Sequence, residues 1–370
     1  MKVILGFIPL LDCASLVVAA ERGFAAEEGL ELALVRETSW ANIRDRVVIG
    51  HFDAAHMLGP MTVASTLGIG HVRVPLIAPF ALGLGGNAIT VSLGLWEQMT
   101  QEGAFAGATP GAHATALKRV VLRRSEPLTL AMVYPFSCHN YELRYWLSAG
   151  GIDPDRDVRL VVIPPPFLVD ALRVGQIDGF CVGEPWNSVA VQAEVGAIVA
   201  PTTAIWSFSP EKVLGCRLEW AQRHPKQLAC LQRALYRASV WCEEPGNHAE
   251  LAGLLAQPRY VGAPAQLLRR ALGGQLALTP HSMPVQVDDF YIPARQHATF
   301  PWVSHGLWFY EQMLRWKQIE FAAHQVAVVR ATYRPDLYRA ALGSVVTDLP
   351  LEDTKIERFF DGGTFDPLKF

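Results

Sequence analysis

The chain has 370 residues, 51% of them hydrophobic and 18% charged, enough for two α/β lobes around a large core. A net charge of −3 gives no reason to expect direct nucleic-acid binding, and no apolar run reaches the about 18 residues of a membrane span. The six cysteines, at 13, 138, 181, 216, 230 and 242, form no CxxC pair and read as buried reduced thiols rather than a metal or redox motif.

The opening MKVILGFIPLLDCASLVVAAERGF invites a signal-peptide reading, but Asp12, Glu21 and Arg22 interrupt its apolar run. A strand over 3–8, ended by Pro9, and a helix over 13–25 capped by Asp12 fit better, followed by a strand over 30–35. That is a β-α-β unit with nothing to cleave, and an unexported, cytoplasmic chain is expected. Further strands are expected at 52–55, 75–79, 88–92, 128–133, 158–163, 179–182 and 213–215. Helices are expected at 40–49, 112–124, 141–149, 167–174 and 185–195. This alternation predicts parallel sheets covered by helices. Beyond residue 217 the pattern turns helical, at 218–223, 225–242, 248–255, 264–272 and 305–316. Residues 274–301, rich in Pro, Gln and Gly, predict a long surface excursion, and the polar tail 347–370 a surface wrap.

Two stretches, 88–94 and 200–207, read as crossovers between lobes. The expected division is a discontinuous first lobe, 1–92 and 202–370, and a second lobe, 93–201, with a ligand cleft between them.

The cleft of such a layout is lined by loops at the carboxyl ends of strands, and five such places carry polar groups. Glu37-Thr38-Ser39-Trp40 opens a helix; its free N–H groups and the Trp40 indole N–H suit an anion, against a plain capping or core role. Gly85-Gly86-Asn87 lets backbone approach a ligand and supplies the Asn87 amide, against an ordinary tight turn. Phe136-Ser137-Cys138-His139-Asn140 puts His139 at a helix start, where it either presents an N–H to an anion or merely caps. A Cys138/His139 nucleophile pair is disfavoured because adjacent residues point apart. Phe180-Cys181-Val182-Gly183-Glu184-Pro185-Trp186-Asn187 runs from a buried strand through Gly183 into a helix with Pro185 in its first turn; Glu184 suits a cap. Glu211-Lys212-Val213-Leu214-Gly215 offers Lys212 as the one formal positive charge, against a solvated lysine.

Together these describe a small cleft rich in donors, suited to a small anion. It lacks the clustered carboxylates of a calcium site. His51 and His56 flank a strand at a spacing poor for a metal. No P-loop, nucleophile elbow or Rossmann fingerprint occurs, and no cofactor is expected.

Several segments resemble the nitrate- and bicarbonate-binding proteins of ABC transporters: Leu5-Gly6-Phe7-Ile8-Pro9-Leu10 with Asp12, Ser39-Trp40, Asp53-Ala54-Ala55-His56-Met57-Leu58, Tyr145-Trp146-Leu147, Ala149-Gly150-Gly151-Ile152 and Gly183-Glu184-Pro185-Trp186-Asn187. The resemblance covers most of the chain and implies an α/β, bilobal, type II periplasmic-binding-protein fold. It implies that an anion is held by Trp40, Asn87, His139, Gly183 and Lys212, with Asn87 standing where nitrate-binding members have a longer Gln. The retained Lys212 favours nitrate, since bicarbonate-binding members use an acidic group with calcium. Among the family's branches the chain looks like the cytoplasmic NasS-type nitrate/nitrite sensors. That implies a protein partner, a NasT-type ANTAR antiterminator, released when the anion binds, in the control of nitrate assimilation genes. The alternatives are a transporter's substrate-binding protein and an enzyme on the same fold.

Overall fold

The structure is a computed structural model describing residues 1–370. Eleven strands frame it: β1 (Lys2–Phe7), β2 (Glu31–Arg36), β3 (Ala54–Leu58), β4 (Leu76–Ala81), β5 (Leu84–Gly85), β6 (Asn87–Ser92), β7 (Leu128–Met132), β8 (Val158–Val162), β9 (Gly179–Gly183), β10 (Gly196–Pro201) and β11 (Lys212–Arg217). Ten of them build two five-stranded sheets, ordered β2-β1-β3-β11-β4 and β10-β6-β9-β7-β8, while β5 pairs with the short strand Tyr291–Ile292. In the first, β1 runs parallel to β2 and β3, while β11 enters antiparallel between β3 and β4. In the second, β7 is parallel to β8 and β9, and β6 is antiparallel to both β9 and β10. These are the mixed sheets of helix-covered α/β lobes.

The opening stretch is core, as the β-α-β reading expects. β1 is registered with β2 along its whole length, and Val3, Leu5, Phe7 and Ile8 are buried. Asp12 does not cap the following helix. It sits in a short turn, Leu11–Cys13, ahead of the helix Ala14–Glu21, and its buried carboxylate faces the interior between the sheets.

The strand at residues 88–92 was expected at the end of the first lobe. Its pairing with β9 and β10 places it in the second sheet instead, ahead of the expected boundary at 92/93. The chain crosses earlier, through the glycine-rich 83–86. Gly83, Gly85 and Gly86 all have positive φ, and a Cβ at Gly85 would stand 2.3 Å from the Phe290 carbonyl oxygen. Only glycine tolerates that backbone so close to a neighbour. The return crossing follows β10, which the sequence pattern does not mark as a strand; only its last two residues fall within the expected crossover, 200–207.

The half after residue 217 is helical, dominated by Pro225–Glu243 and Val303–Arg315. Three large apolar cores form, with a small fourth cluster of Leu84, Ile292 and Ala298. One lies under the first sheet, with Leu5, Val17, Leu231 and Leu235; another lies in the second lobe, with Leu117, Leu130, Trp146 and Leu147. A third joins the lobes, combining Ile8, Leu10, Trp40 and Met57 with Cys138, Tyr141, Phe180 and Val182. The tail wraps as expected and ties both lobes: Phe359 lies 4.7 Å from the Tyr145 ring and 5.2 Å from Trp206, and the Trp206 indole donates to Glu357 at 3.1 Å. No helix is long and apolar enough to cross a membrane.

Candidate functional site

The carboxyl ends of β1 and β3 and the start of β11 face the second sheet where β6 begins and β9 ends. The loops are joined there: the Leu11 N–H donates to the Glu184 carbonyl at 2.8 Å, and the Trp186 indole donates to the Pro9 carbonyl at 3.2 Å. Trp186, not Pro185, starts the helix that follows, and the Glu184–Pro185 peptide is cis.

Trp40 is the first residue of the helix Trp40–Val48, whose N-cap Ser39 accepts the Asn42 N–H at 3.2 Å. A serine cap satisfies one free donor and fixes the helix start, and with it the indole. Trp40 is buried, and its Nε1–H has no partner. Its ring lies 5.3 Å from that of His56, and the Lys212 ammonium stands 5.5 Å from the ring centre. That distance gives a cation–π contact.

Asn87 and Gly183 are cross-strand partners at the ends of β6 and β9. Asn87 Nδ2 donates to Glu142 Oε2 at 3.4 Å, while its Oδ1 is buried and unpartnered. A Cβ at Gly183 would lie 3.1 Å from that Oδ1, so glycine keeps the space open.

His139 is the second residue of the helix Cys138–Ala149, whose N-cap Ser137 accepts the Asn140 N–H at 3.0 Å. Its Nδ1 stands 3.4 Å from Glu211 Oε1, and neither ring nitrogen has a hydrogen bond. Burial, reinforced by the Lys212 charge, holds its pKa well below the usual histidine value, so the ring is neutral.

Lys212 opens β11 and is buried, not solvated. Its ammonium pairs with Asp12 Oδ2 at 2.8 Å and with the Glu211 carboxylate. Asp12 Oδ1 in turn faces His56 Nε2 at 2.9 Å. Burial opposes ionisation of Asp12, but Lys212 and His56 outweigh it and hold the carboxyl well below its usual range. His56 Nδ1 faces the Ile8 N–H at 3.4 Å, which puts its proton on Nε2, toward Asp12.

The five residues expected to hold a ligand are therefore brought into one buried cluster. Four further groups join it. Asp12 reads as a cap and His56 as a poor metal ligand, both lying in segments that carry the family resemblance without a ligand role, and Glu211 reads only as a strand edge. Glu142 had drawn no notice, although it lies three residues beyond His139 and so shares that face of the helix. The site thus holds more carboxylate than a plain donor cleft. Buried Glu142, with no cation in contact, is pushed up to about 8, and Glu184 to about 7, both by desolvation. Glu184 also accepts the Ser188 N–H at 3.3 Å, a helix-start role as expected.

Chemically, the cluster offers unpartnered N–H donors on Trp40 and His139 beside one buried ammonium. Buried donors without partners are rare unless water or a ligand completes them. The Cys138 thiol gives no nucleophile: burial pushes its pKa well above normal, and its Sγ faces the Glu211 carbonyl at 3.6 Å. All six cysteines are free, and no group of three His, Cys, Asp or Glu side chains is arranged to hold a metal ion.

Comparison with known proteins gives the lineage. The model of the NMT1-like family matches residues 1–256. The chain is 35% identical over 376 residues to the nitrate/nitrite binding protein NrtA of Synechococcus elongatus, covering 99% of this chain and 83% of that one. It is 37% identical over 378 residues to the nitrate import ATP-binding protein NrtC of Synechocystis sp., covering 98% of this chain but 53% of that one. The chain thus spans about half the length of this second relative. The structure matches the crystal structure of the periplasmic nitrate-binding protein NrtA from Synechocystis PCC 6803 with a TM-score of 0.92 at 29% identity, covering 100% and 96% of the two chains. The fold is the bilobal α/β fold of periplasmic binding proteins, and the chain belongs to the NMT1-like family.

Proposed function

We propose that the interlobe cleft binds nitrate or nitrite through Trp40, Asn87, His139, Gly183 and Lys212, and that the chain serves as the substrate-binding protein of an ABC-type importer of such anions. The observation that carries this is the convergence of unpartnered, buried Trp40 and His139 donors on a buried lysine. The relatives' names, nitrate/nitrite binding protein and periplasmic nitrate-binding protein, supply the anion and the transport setting. The role is binding, not catalysis.

A second reading is the cytoplasmic NasS-type sensor. It binds the same anion but holds a NasT-type ANTAR antiterminator and releases it when the lobes close; it touches no nucleic acid itself. One observation keeps this reading open: nearly the whole chain also matches about half of a nitrate import ATP-binding protein, so such a module is not confined to free-standing binding proteins. For the sensor, the anion must favour the closed form and the partner the open one. Nitrate-dependent release of a co-purified antiterminator, with the protein in the cytoplasmic fraction of cells expressing the full gene, would decide for the sensor. Recovery in the periplasmic fraction decides for transport.

The ligand itself is tested by calorimetric titration with sodium nitrate, sodium nitrite and bicarbonate, each with a chelator and with calcium. Saturable heat with nitrate or nitrite in chelator is expected. Binding of bicarbonate only, and only with calcium, would overturn the reading.

A further inference from the structure

The charges around Lys212 do not balance for an anion site. The ammonium is paired with two carboxylates, Asp12 and Glu211. Every other group facing them is neutral or acidic: His56 on β3, held neutral by burial and turned to Asp12; the Cys13 thiol and the Tyr291 hydroxyl on Asp12's side, both kept protonated by burial; His139 and Glu142 on the helix Cys138–Ala149; and the thiols of Cys138 and of Cys181 on β9. Glu184, beyond β9, adds to the negative side whenever it ionises. The side chains of the cluster therefore sum to an excess negative charge, and a bound anion adds a second among buried groups. Burying charge without compensation is costly, and a site in that position changes protonation instead.

The place for a proton is built in. His139 Nδ1 and Glu211 Oε1 face each other at 3.4 Å, both buried and without other hydrogen-bond partners on those atoms. His139 stands in the first turn of its helix, so its other nitrogen, also unpartnered, is free to donate to a ligand while Nδ1 meets the carboxylate.

We infer that the cleft binds its anion together with one proton, taken from solution and held between His139 and Glu211. The inference rests on the reading of the cleft as a nitrate or nitrite site. Loading the pair leaves Lys212 balanced by Asp12 and frees the ammonium, with the protonated pair, to face the anion. Glu211 is then a positioning residue whose carboxylate sets the proton linkage.

The test is calorimetric titration of the full chain with sodium nitrate in two buffers of different ionisation enthalpy at the same pH, repeated from about pH 7 to about pH 9. The difference in heats counts protons. About one proton should enter per nitrate, and affinity should fall about tenfold per pH unit on the alkaline side. Glu211→Gln, made in a Glu142→Gln and Glu184→Gln background so that neither of those acids titrates in this range, should abolish the uptake and flatten the pH dependence, which loss of packing alone would not do. Nitrate binding with no proton uptake by the native protein would overturn the inference and leave the anion site standing. Uptake that persists in Glu211→Gln would overturn the place assigned to the proton. Absence of heat with both nitrate and nitrite would overturn the underlying reading of the cleft.

Discussion

Lys212 holds two buried carboxylates, and its worth is set by what removing it would leave. A buried ion pair is weak evidence of net stabilisation, but removing one partner strands the other charge at a cost of about 3–5 kcal/mol. Lys212→Ala strands Asp12 and Glu211 together. The variant should lose nitrate binding and also unfold at lower urea concentration; a variant of native stability would show that the carboxylates are not ionised. Glu142 makes the opposite argument. Its folded pKa, about 8 against an ordinary 4.5, lies above the unfolded value, so its favourable contribution is complete below pH 4.5 and is lost as pH rises toward 8. Glu142→Gln, which keeps the shape of the neutral acid, should gain on the native protein across that window, by up to about 4–5 kcal/mol. Urea denaturation of both proteins at about pH 5 and about pH 8 reads the difference; an advantage independent of pH would contradict it. At this scale the sequence reveals half the site. Trp40, Asn87, His139, Gly183 and Lys212 each stand close to a strand end and before or within a helix start or strand, a position visible locally. Their counter-charges are not visible in this way, because the Asp12–Lys212 contact joins residues 200 apart in the chain.

At the scale of elements, two helix starts position the two candidate donors, Trp40 and His139. The helices Trp40–Val48 and Cys138–Ala149 are both capped by a serine one residue before the helix, and each carries one of the candidate rings in its first turn. Ser137 is doubly tied, accepting from Asn140 and donating to the Tyr134 carbonyl at 2.6 Å. Ser137→Ala should cost about 1 kcal/mol of stability and weaken nitrate binding, because the turn that orients His139 loosens. Equal affinity in the variant, measured by the same titration, would show that the helix start does not position the ring. Both serines can be read from the chain, since a polar cap before an apolar-periodic run is a local signal. The helix Gly59–Leu67 gives no comparable signal, because it is buried nearly all round and its periodicity is masked; Leu93–Gln101 carries the same kind of cap, Ser92, but that serine is also the last residue of β6 and so reads as strand. Strand β10 is disguised in the same way, as a fully apolar run without alternation.

At the scale of the molecule, the alternation of short strands and helices makes the two-lobe layout legible, while the partner of each edge strand is decided by tertiary pairing. This is why residues 87–92 belong with the second sheet although they follow the first in sequence. The lobes meet over an apolar core containing Trp40, Tyr141, Phe180, Trp206 and Trp308, and the tail laces across it through Phe359 and Glu357. With every expected ligand-binding residue buried between lobes, the structure has the arrangement of a closed clamp. On the proposed function the anion would be the bridge, since Trp40 and Lys212 come from the first sheet's side and Asn87, His139 and Gly183 from the second. The measurement that tests this most directly is a crystal structure of the protein grown with sodium nitrate and a chelator. The account predicts a planar anion between the lobes, within hydrogen-bond distance of Trp40 Nε1, His139 and Lys212 Nζ and beside Asn87 and Gly183. A nitrate bound elsewhere, or a cleft that stays empty at saturating nitrate, would contradict it.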